Sequence, residues 1–271
     1  YTNGKIYAGG FNEFGYFEKD GKGHLKYFSL SQQLDSLHRS FDEIWRIYKH
    51  KDDIIFQSYL NVFILNESGI KIIEPKSRFG FSYMVNDDFY IIDRKYGLFV
   101  LKNEKLEPVL EEKKFFEENE ITFIISFHTN NFLIGTTNAG IFMYDGKTRT
   151  PWNTKVNKLL IESQIYTGLA LNNETFAVGT IQNGVFILTK NGDIIQHLNR
   201  NKGLQNNTIL SMHYDNYKNL WLGLDNGIDM LELNFLLQSL IIAIILKQPM
   251  FQLFSTINFM WEQTRDCLCR I

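Results

Sequence analysis

Two carboxylates, Glu13 and Asp225, sit in corresponding turns, Asn12-Glu13-Phe14 and Asp225-Asn226-Gly227. A carboxyl pair about 5–10 Å apart is what glycoside hydrolysis requires. Residues this distant in sequence meet only if the fold brings both turns to one place. Other chemistry is scarce. The six histidines are scattered, with no H-E-x-x-H and no pair at metal-ligand spacing. Gly146-Lys147-Thr148 has the end of a phosphate-binding loop, but Gly140 stands one residue too far back and opens an apolar strand. Asp215-Asn216-Tyr217-Lys218-Asn219 has part of a calcium loop without its turn glycine or distal Glu. Both stretches are expected to be turns. The two cysteines, Cys267 and Cys269, form a C-x-C that falls short of a zinc ligand set. No cofactor, metal or catalytic residue is expected.

What could bind must therefore be set by the elements that carry these turns. The 271 residues are rich in Phe and Tyr, with many Gly and four Pro. Aromatic and β-branched residues suit a pleated, half-buried surface. The formal net charge of −2 gives no nucleic-acid footprint. The chain opens at Tyr1 without an initiator Met or signal-like stretch, and reads as a piece of a longer protein.

One phrase recurs. It reads 7-YAGGFNEFGYF-17, 90-YIIDRKYGLFVL-101, 133-LIGTTNAGIFMY-144, 177-AVGTIQNGVFIL-188 and 221-WLGLDNGIDML-231, with a degenerate copy, 55-IFQSYLNVFIL-65, in which Asn61 replaces the second glycine. The glycines Gly97, Gly140, Gly184 and Gly227 are 43, 44 and 43 residues apart, a propeller-blade period. An alternating segment precedes the phrase, as in 121-ITFIISFH-128, 165-IYTGLALN-172 and 208-TILSMHYD-215. A D-G or N-G turn often follows it, at Asp20-Gly21, Asp145-Gly146 and Asn191-Gly192. The plan is four short strands per unit, A to D, with no sustained helical periodicity. A four-stranded meander cannot bury both faces alone, but units arranged about an axis cover one another. The expected fold is all-β: a β-propeller of about six four-stranded blade units over residues 1–234, the first incomplete, followed by an irregular or helical tail. The charge runs Glu111–Lys114 and Glu117–Glu120 are expected in a strand edge or loop.

In a propeller the B–C turns and the D–A connections emerge on one face, around the mouth of the central channel. The B–C turns supply Asn12, Glu13, Tyr59, Arg94, Tyr96, Asn138, Gln182, Asn183, Asp225 and Asn226 as candidate ligand-binding residues. Arg78, Asn206 and Asn207 join them from D–A connections. Amides, an Arg, carboxylates and aromatic faces suit polyhydroxylated ligands. Each amide could instead bond its own turn. Trp45 and Trp152 are expected in core or channel packing, and Trp221 between blades.

The stretch 203-GLQNNTILSMHYDNYKNLWLGLDNGIDML-231 resembles the two-component regulator propeller repeat through Gly203, Leu204, Asn207, Asp215, Leu220, Trp221, Gly223 and Gly227. Lys218 and Leu224 depart from the usual Gly and Thr. The opening 9-GGFNEFGYFEKDGKGHLKYFSL-30 is similar to the N-terminal propeller of membrane-anchored Bacteroidetes regulators, in which propellers precede a triple-tyrosine domain, a transmembrane helix and a cytoplasmic output module. This resemblance covers roughly residues 1–234. It implies a non-enzymatic, periplasmic or otherwise extracytoplasmic ligand sensor, often for glycan fragments, of a parent anchored in the inner membrane. Its partners would be a small-molecule or oligosaccharide ligand and a second propeller or triple-tyrosine domain of the parent chain. The alternatives are a propeller enzyme, such as a polysaccharide lyase or glycosidase, and a protein–protein scaffold.

The tail 235–271 breaks the pattern. Its apolar run from Leu236 to Leu246 is interrupted by Gln238 and Ser239 and halted by Lys247, too short for a membrane span of about 20 residues. An amphipathic or buried helix is one reading. The preferred one is translation out of frame, because shifting the codons of Met260-Trp261-Glu262 gives Val-Gly-(Thr or Ala), and Phe259–Asp266 then permits Y-V-G-T-N-Q-G-L, the strand-B phrase one period on.

Overall fold

A computed structural model describes residues 1–128 and 131–233. The readings of the tail from Phe235 to Ile271 lie outside these residues. The described chain folds as a six-bladed β-propeller. Blade one contains β1 (Lys5–Gly10), β2 (Glu13–Lys19) and β3 (Leu25–Ser29). Blade two contains β4 (Arg46–His50), β5 (Asp53–Gln57), β6 (Val62–Asn66) and β7 (Gly69–Ile73). Blade three contains β8 (Phe79–Val85), β9 (Asp88–Asp93), β10 (Gly97–Lys102) and β11 (Lys105–Leu110). Blade four contains β12 (Ile121–His128), β13 (Asn131–Thr136), β14 (Gly140–Tyr144) and β15 (Arg149–Pro151). Blade five contains β16 (Ile165–Ala170), β17 (Thr175–Thr180), β18 (Val185–Thr189) and β19 (Ile194–Leu198), and blade six β20 (Ile209–Tyr214), β21 (Asn219–Leu224) and β22 (Ile228–Glu232). Every blade is an antiparallel meander in chain order.

The first strands of successive blades lie side by side, β8 against β12, β12 against β16 and β16 against β20. They line a central space of about 330 Å³ in which, among the described residues, Arg46 is the only charged side chain. Among the described residues blade one has no innermost strand: by the repeat, β1 is a B strand.

The repeated glycines now have two physical explanations. Gly97, Gly140, Gly184 and Gly227 have φ of +110°, +82°, +75° and +101°, the left-handed backbone that a side chain disfavours. The earlier glycines of the phrase, Gly135, Gly179 and Gly223, pair with Phe123, Thr167 and Ser211 of the first strand. A Cβ on any of the three would lie within 2.7 Å of that partner's side chain. The residue closing strand B completes the turn. Thr136 Oγ1 donates to the Gly140 carbonyl (2.7 Å) and accepts from Ala139 N (3.1 Å), and Thr180 repeats this on Gly184 (2.9 Å) and Asn183 (3.0 Å). In blade one the glycine alignment slips. Gly15 lies within β2, where Phe28 O would stand 2.1 Å from a Cβ, and the left-handed turn residue is Asn12 at φ +51°.

Each sheet is apolar on both faces, so cores form between blades. Five buried clusters join blades one to two, two to three, three to four, four to five and five to six. Among the described residues no such cluster joins blade six to blade one. This corrects the expectation for Trp221. The Leu220, Leu222 and Leu224 face of β21 packs on blade five, and strand alternation turns Trp221 away from it. It is 41% exposed, and its Nε1 donates to Asp215 at 2.8 Å. Trp152 is buried, as expected.

Two helices were not expected. The Glu111–Glu120 charge run contains α1 (Lys113–Glu118), which buries Phe115 and Phe116 between blades three and four, with the Arg149 guanidinium 3.7 Å above the Phe115 ring. The connection after β15 contains α2 (Lys155–Ser163), which buries Val156 and Leu160 one turn apart. Asn157 on α2 accepts from Ile141 N at 2.8 Å and so fixes the helix to β14. Among the described residues no helix is long and apolar enough to cross a membrane.

Candidate functional site

Backbone hydrogen bonds stitch each B–C turn to a neighbouring D–A connection. Asn12 N donates to Asp42 O, Phe79 N to Tyr59 O, Arg94 N to Arg78 O, Thr137 N to Glu120 O, Ile181 N to Gln164 O and Asp225 N to Thr208 O. The candidate residues therefore belong to one face. Their side chains do not share one role.

Tyr59 and Arg94 are brought together with residues from the starts of two innermost strands. The Tyr59 ring lies 5.2 Å from Trp45 and 6.2 Å from Phe81, and Trp45 lies 6.4 Å from Phe81. Arg78 stands 4.8 Å and Arg94 5.4 Å from the Tyr59 centroid, and Arg46 stands 5.6 Å from that of Phe81. Trp45 is 44% exposed, so it is not a core residue. Burial pushes the Tyr59 phenol up, against the pull of Arg94 and Arg78, and it stays neutral at physiological pH. A cleft of about 470 Å³ adjoins this cluster, with Phe81, Arg94 and Lys95 on its blade-three side and α1 through Glu120 on the other.

The other candidates lie apart. Asn12 Oδ1 accepts from Phe41 N and Asp42 N, both at 2.9 Å, so its amide holds the next connection. Asn183 bonds Ser163 (3.3 Å) and Asn199 (3.1 Å) through its side chain. Glu13 begins β2, one strand from the outer edge of blade one, and accepts from Tyr27 Oη and Ser29 Oγ, each at 2.8 Å. Burial raises its pKa, but hydrogen bonds from Ser29, Tyr27, Ser31 and the Phe14 backbone outweigh this and hold it below the usual carboxylate value. Tyr96 is exposed beside Lys76, whose Nζ is 5.5 Å from the ring centroid. Asn138, Gln182, Asp225 and Asn226 are exposed on their turns. Asn206 and Asn207 accept from Thr208 N and Arg200 N. Asp145 and Asp215 cap their own turns, accepting from backbone N–H groups two to four residues on. Among the described residues no cluster of His, Cys, Asp and Glu could hold a metal ion.

Arg46 and Phe81 were not singled out in the sequence. The signal for Phe81 is a strand irregularity. Register shifts recur near the start of the innermost strand, between Phe79 and Ser82, Ile121 and Phe123, Ile165 and Thr167, and Ile209 and Ser211. Bulges re-aim side chains, and Phe81 occupies such a shift.

No family model matches the chain, and no curated protein matches its sequence. Solved structures do. The extracellular domain of the hybrid two component system BT3049 from B. thetaiotaomicron is similar at TM-score 0.60 and 15% identity, over 84% of this chain and 32% of that one. The extracellular domain of the one component system BT4673 from the same organism is similar at TM-score 0.60 and 16% identity, over 85% of this chain and 31% of that one. The WD40 propeller domain of Doa1 is similar at TM-score 0.57 and 12% identity, over 84% and 74%. The chain thus spans about a third of the two Bacteroides domains. At these identities the likeness establishes the propeller fold.

Proposed function

We propose that this chain is the ligand-sensing propeller of a membrane-anchored signalling regulator, that it works outside the cytoplasm, and that it binds an oligosaccharide without turning it over. The observation that carries this reading is the open patch of Trp45, Tyr59 and Phe81 ringed by Arg78 and Arg94. Aromatic faces cover the C–H faces of sugar rings, and guanidinium groups donate to ring substituents. The patch is assembled from blades two and three, so a ligand seated on it would bridge two blades. Signalling then requires that the ligand bind two arrangements of the parent unequally, with a second propeller or a triple-tyrosine domain of the parent as the responding element. The likeness to extracellular domains of B. thetaiotaomicron signalling systems supports this reading. A lyase or glycosidase would need converging carboxylates, and Glu13 is committed to Tyr27 and Ser29.

The test is calorimetry of the purified protein against a panel of neutral and acidic oligosaccharides, with product analysis of each mixture. Binding of at least one member, lost in Trp45→Ala and without product release, is the expected result. A panel with no binder, or a member converted to product, would overturn the reading.

A further inference from the structure

The same patch carries information about charge. Arg46, Arg78 and Arg94 converge on three rings, and their contacts with Phe81 and Tyr59 are made to the ring faces. Such a contact engages the charge of the guanidinium and none of its N–H groups in hydrogen bonds, which leaves them for a planar anion. The described residues scarcely use them. Among the described residues the only carboxylate within 4.0 Å of the three groups is Asp42, 3.9 Å from Arg78 and 41% exposed. Lys95 adds a further positive charge on the blade-three wall of the cleft.

The opposing wall is acidic, but most of that charge is matched locally. Glu117 lies 3.9 Å from Lys113 and Glu118 3.8 Å from Lys114, each within a single turn of α1. Glu120 remains, and it stands with Asp42 as the acidic influence on Tyr59. A neutral sugar would leave two guanidinium groups without a counter-charge, whereas a uniformly charged polymer would meet Glu120. The arrangement fits a chain with an anion at one end of a residue and hydroxyls at the other.

We infer that the ligand is an acidic saccharide, with a carboxylate or sulfate held by the Arg78–Arg94 pair, its ring on Trp45, and its hydroxyls toward Glu120. This rests on the sensing reading above and narrows it. Uronates and sulfated sugars present the same bidentate anion chemistry.

The experiment titrates the intact protein with tetragalacturonate, with its fully methyl-esterified counterpart and with a chondroitin sulfate tetrasaccharide. The esterified probe keeps the backbone and removes the charge. The expected result is that at least one acidic probe binds about tenfold or more tightly than the ester, as expected for one charge-assisted contact. Raising ionic strength from about 0.05 M to about 0.3 M should weaken the acid alone. Arg94→Gln should weaken the acid about tenfold while leaving any binding of the ester unchanged. Tetragalacturonate carries carboxylates alone and chondroitin sulfate both groups, so adding the desulfated chondroitin tetrasaccharide identifies the anion. Equal affinity for acid and ester, or an Arg94→Gln loss shared by both, would overturn the inference and leave the sensing reading standing. Failure of every neutral and acidic probe would overturn both.

Discussion

Phe123 offers a direct test of how the blades interlock. Its ring is 2% exposed and sits between two glycines, Gly135 on the next strand of its own blade and Gly168 on β16 of blade five. A Cβ at Gly168 would stand 2.3 Å from Phe123 Cδ1, more than 1 Å short of the 3.4 Å at which ordinary contact begins. The ring cannot retreat, because a Cβ at Gly135 would already be 2.2 Å from Cε1 on the other side. Gly168 does not have the positive φ that would penalise a side chain regardless of space. Overpacking of this kind costs about 1–3 kcal/mol, and Gly→Ala returns about 0.4–1 kcal/mol by restricting the unfolded chain. The net loss for Gly168→Ala is about 1–2 kcal/mol, or about 2–8 °C in Tm for a protein of this size. Urea unfolding followed by tryptophan fluorescence reads it. In a Phe123→Leu background the obstruction is gone, and Gly168→Ala should become neutral or slightly stabilising. Gly10→Ala, with nothing within 4 Å of its Cβ, is the control and should not destabilise. If Gly168→Ala proves as harmless as Gly10→Ala, or costs the same with and without the Phe123 ring, the interlocking argument is wrong.

Two further outcomes follow from the turns and from charge. Thr136→Val should cost about 1–2 kcal/mol in the same assay, since it removes a buried hydroxyl that both donates and accepts across the B–C turn. Glu13 has a depressed pKa in the folded state, so its contribution is present above its unfolded value of about 4.5 and fades as pH falls through the folded value; Glu13→Gln should flatten the acid limb of a stability–pH profile, and an unchanged limb would contradict the hydrogen-bond assignment.

The propeller was legible because its strongest signal is steric rather than hydrophobic. Positive φ at Gly97, Gly140, Gly184 and Gly227 recurs in the B–C turns of blades three to six, and glycine accepts it most readily. Where another residue takes that backbone, as Asn12 does, the alignment slid to Gly15, a glycine needed for close packing instead. The helices were hidden for other reasons. α1 buries the adjacent pair Phe115 and Phe116, which fits no helical period, and α2 has nine residues, too few for periodicity to stand out. Of the candidate site, topology indicated the face but not which side chains remain free on it. Asn12 and Asn183 are consumed by local hydrogen bonds that no spacing announces. Trp45, Tyr59, Arg78 and Arg94 were each visible singly, but their convergence depends on the register shift that places Phe81 among them.

Five interlocking cores among six sheets make the energetics of this molecule one-dimensional. Among the described residues an inner sheet is gripped on both sides and a terminal one on a single side, and coupling passes between neighbours. Such a stack has a stiff middle and soft ends. The aromatic–arginine patch lies on sheets two and three, where each unit is gripped twice, so its geometry is set before anything arrives. Compliance is concentrated at the first and last sheets, and there a docking event elsewhere in a longer chain would do most to retune the stack.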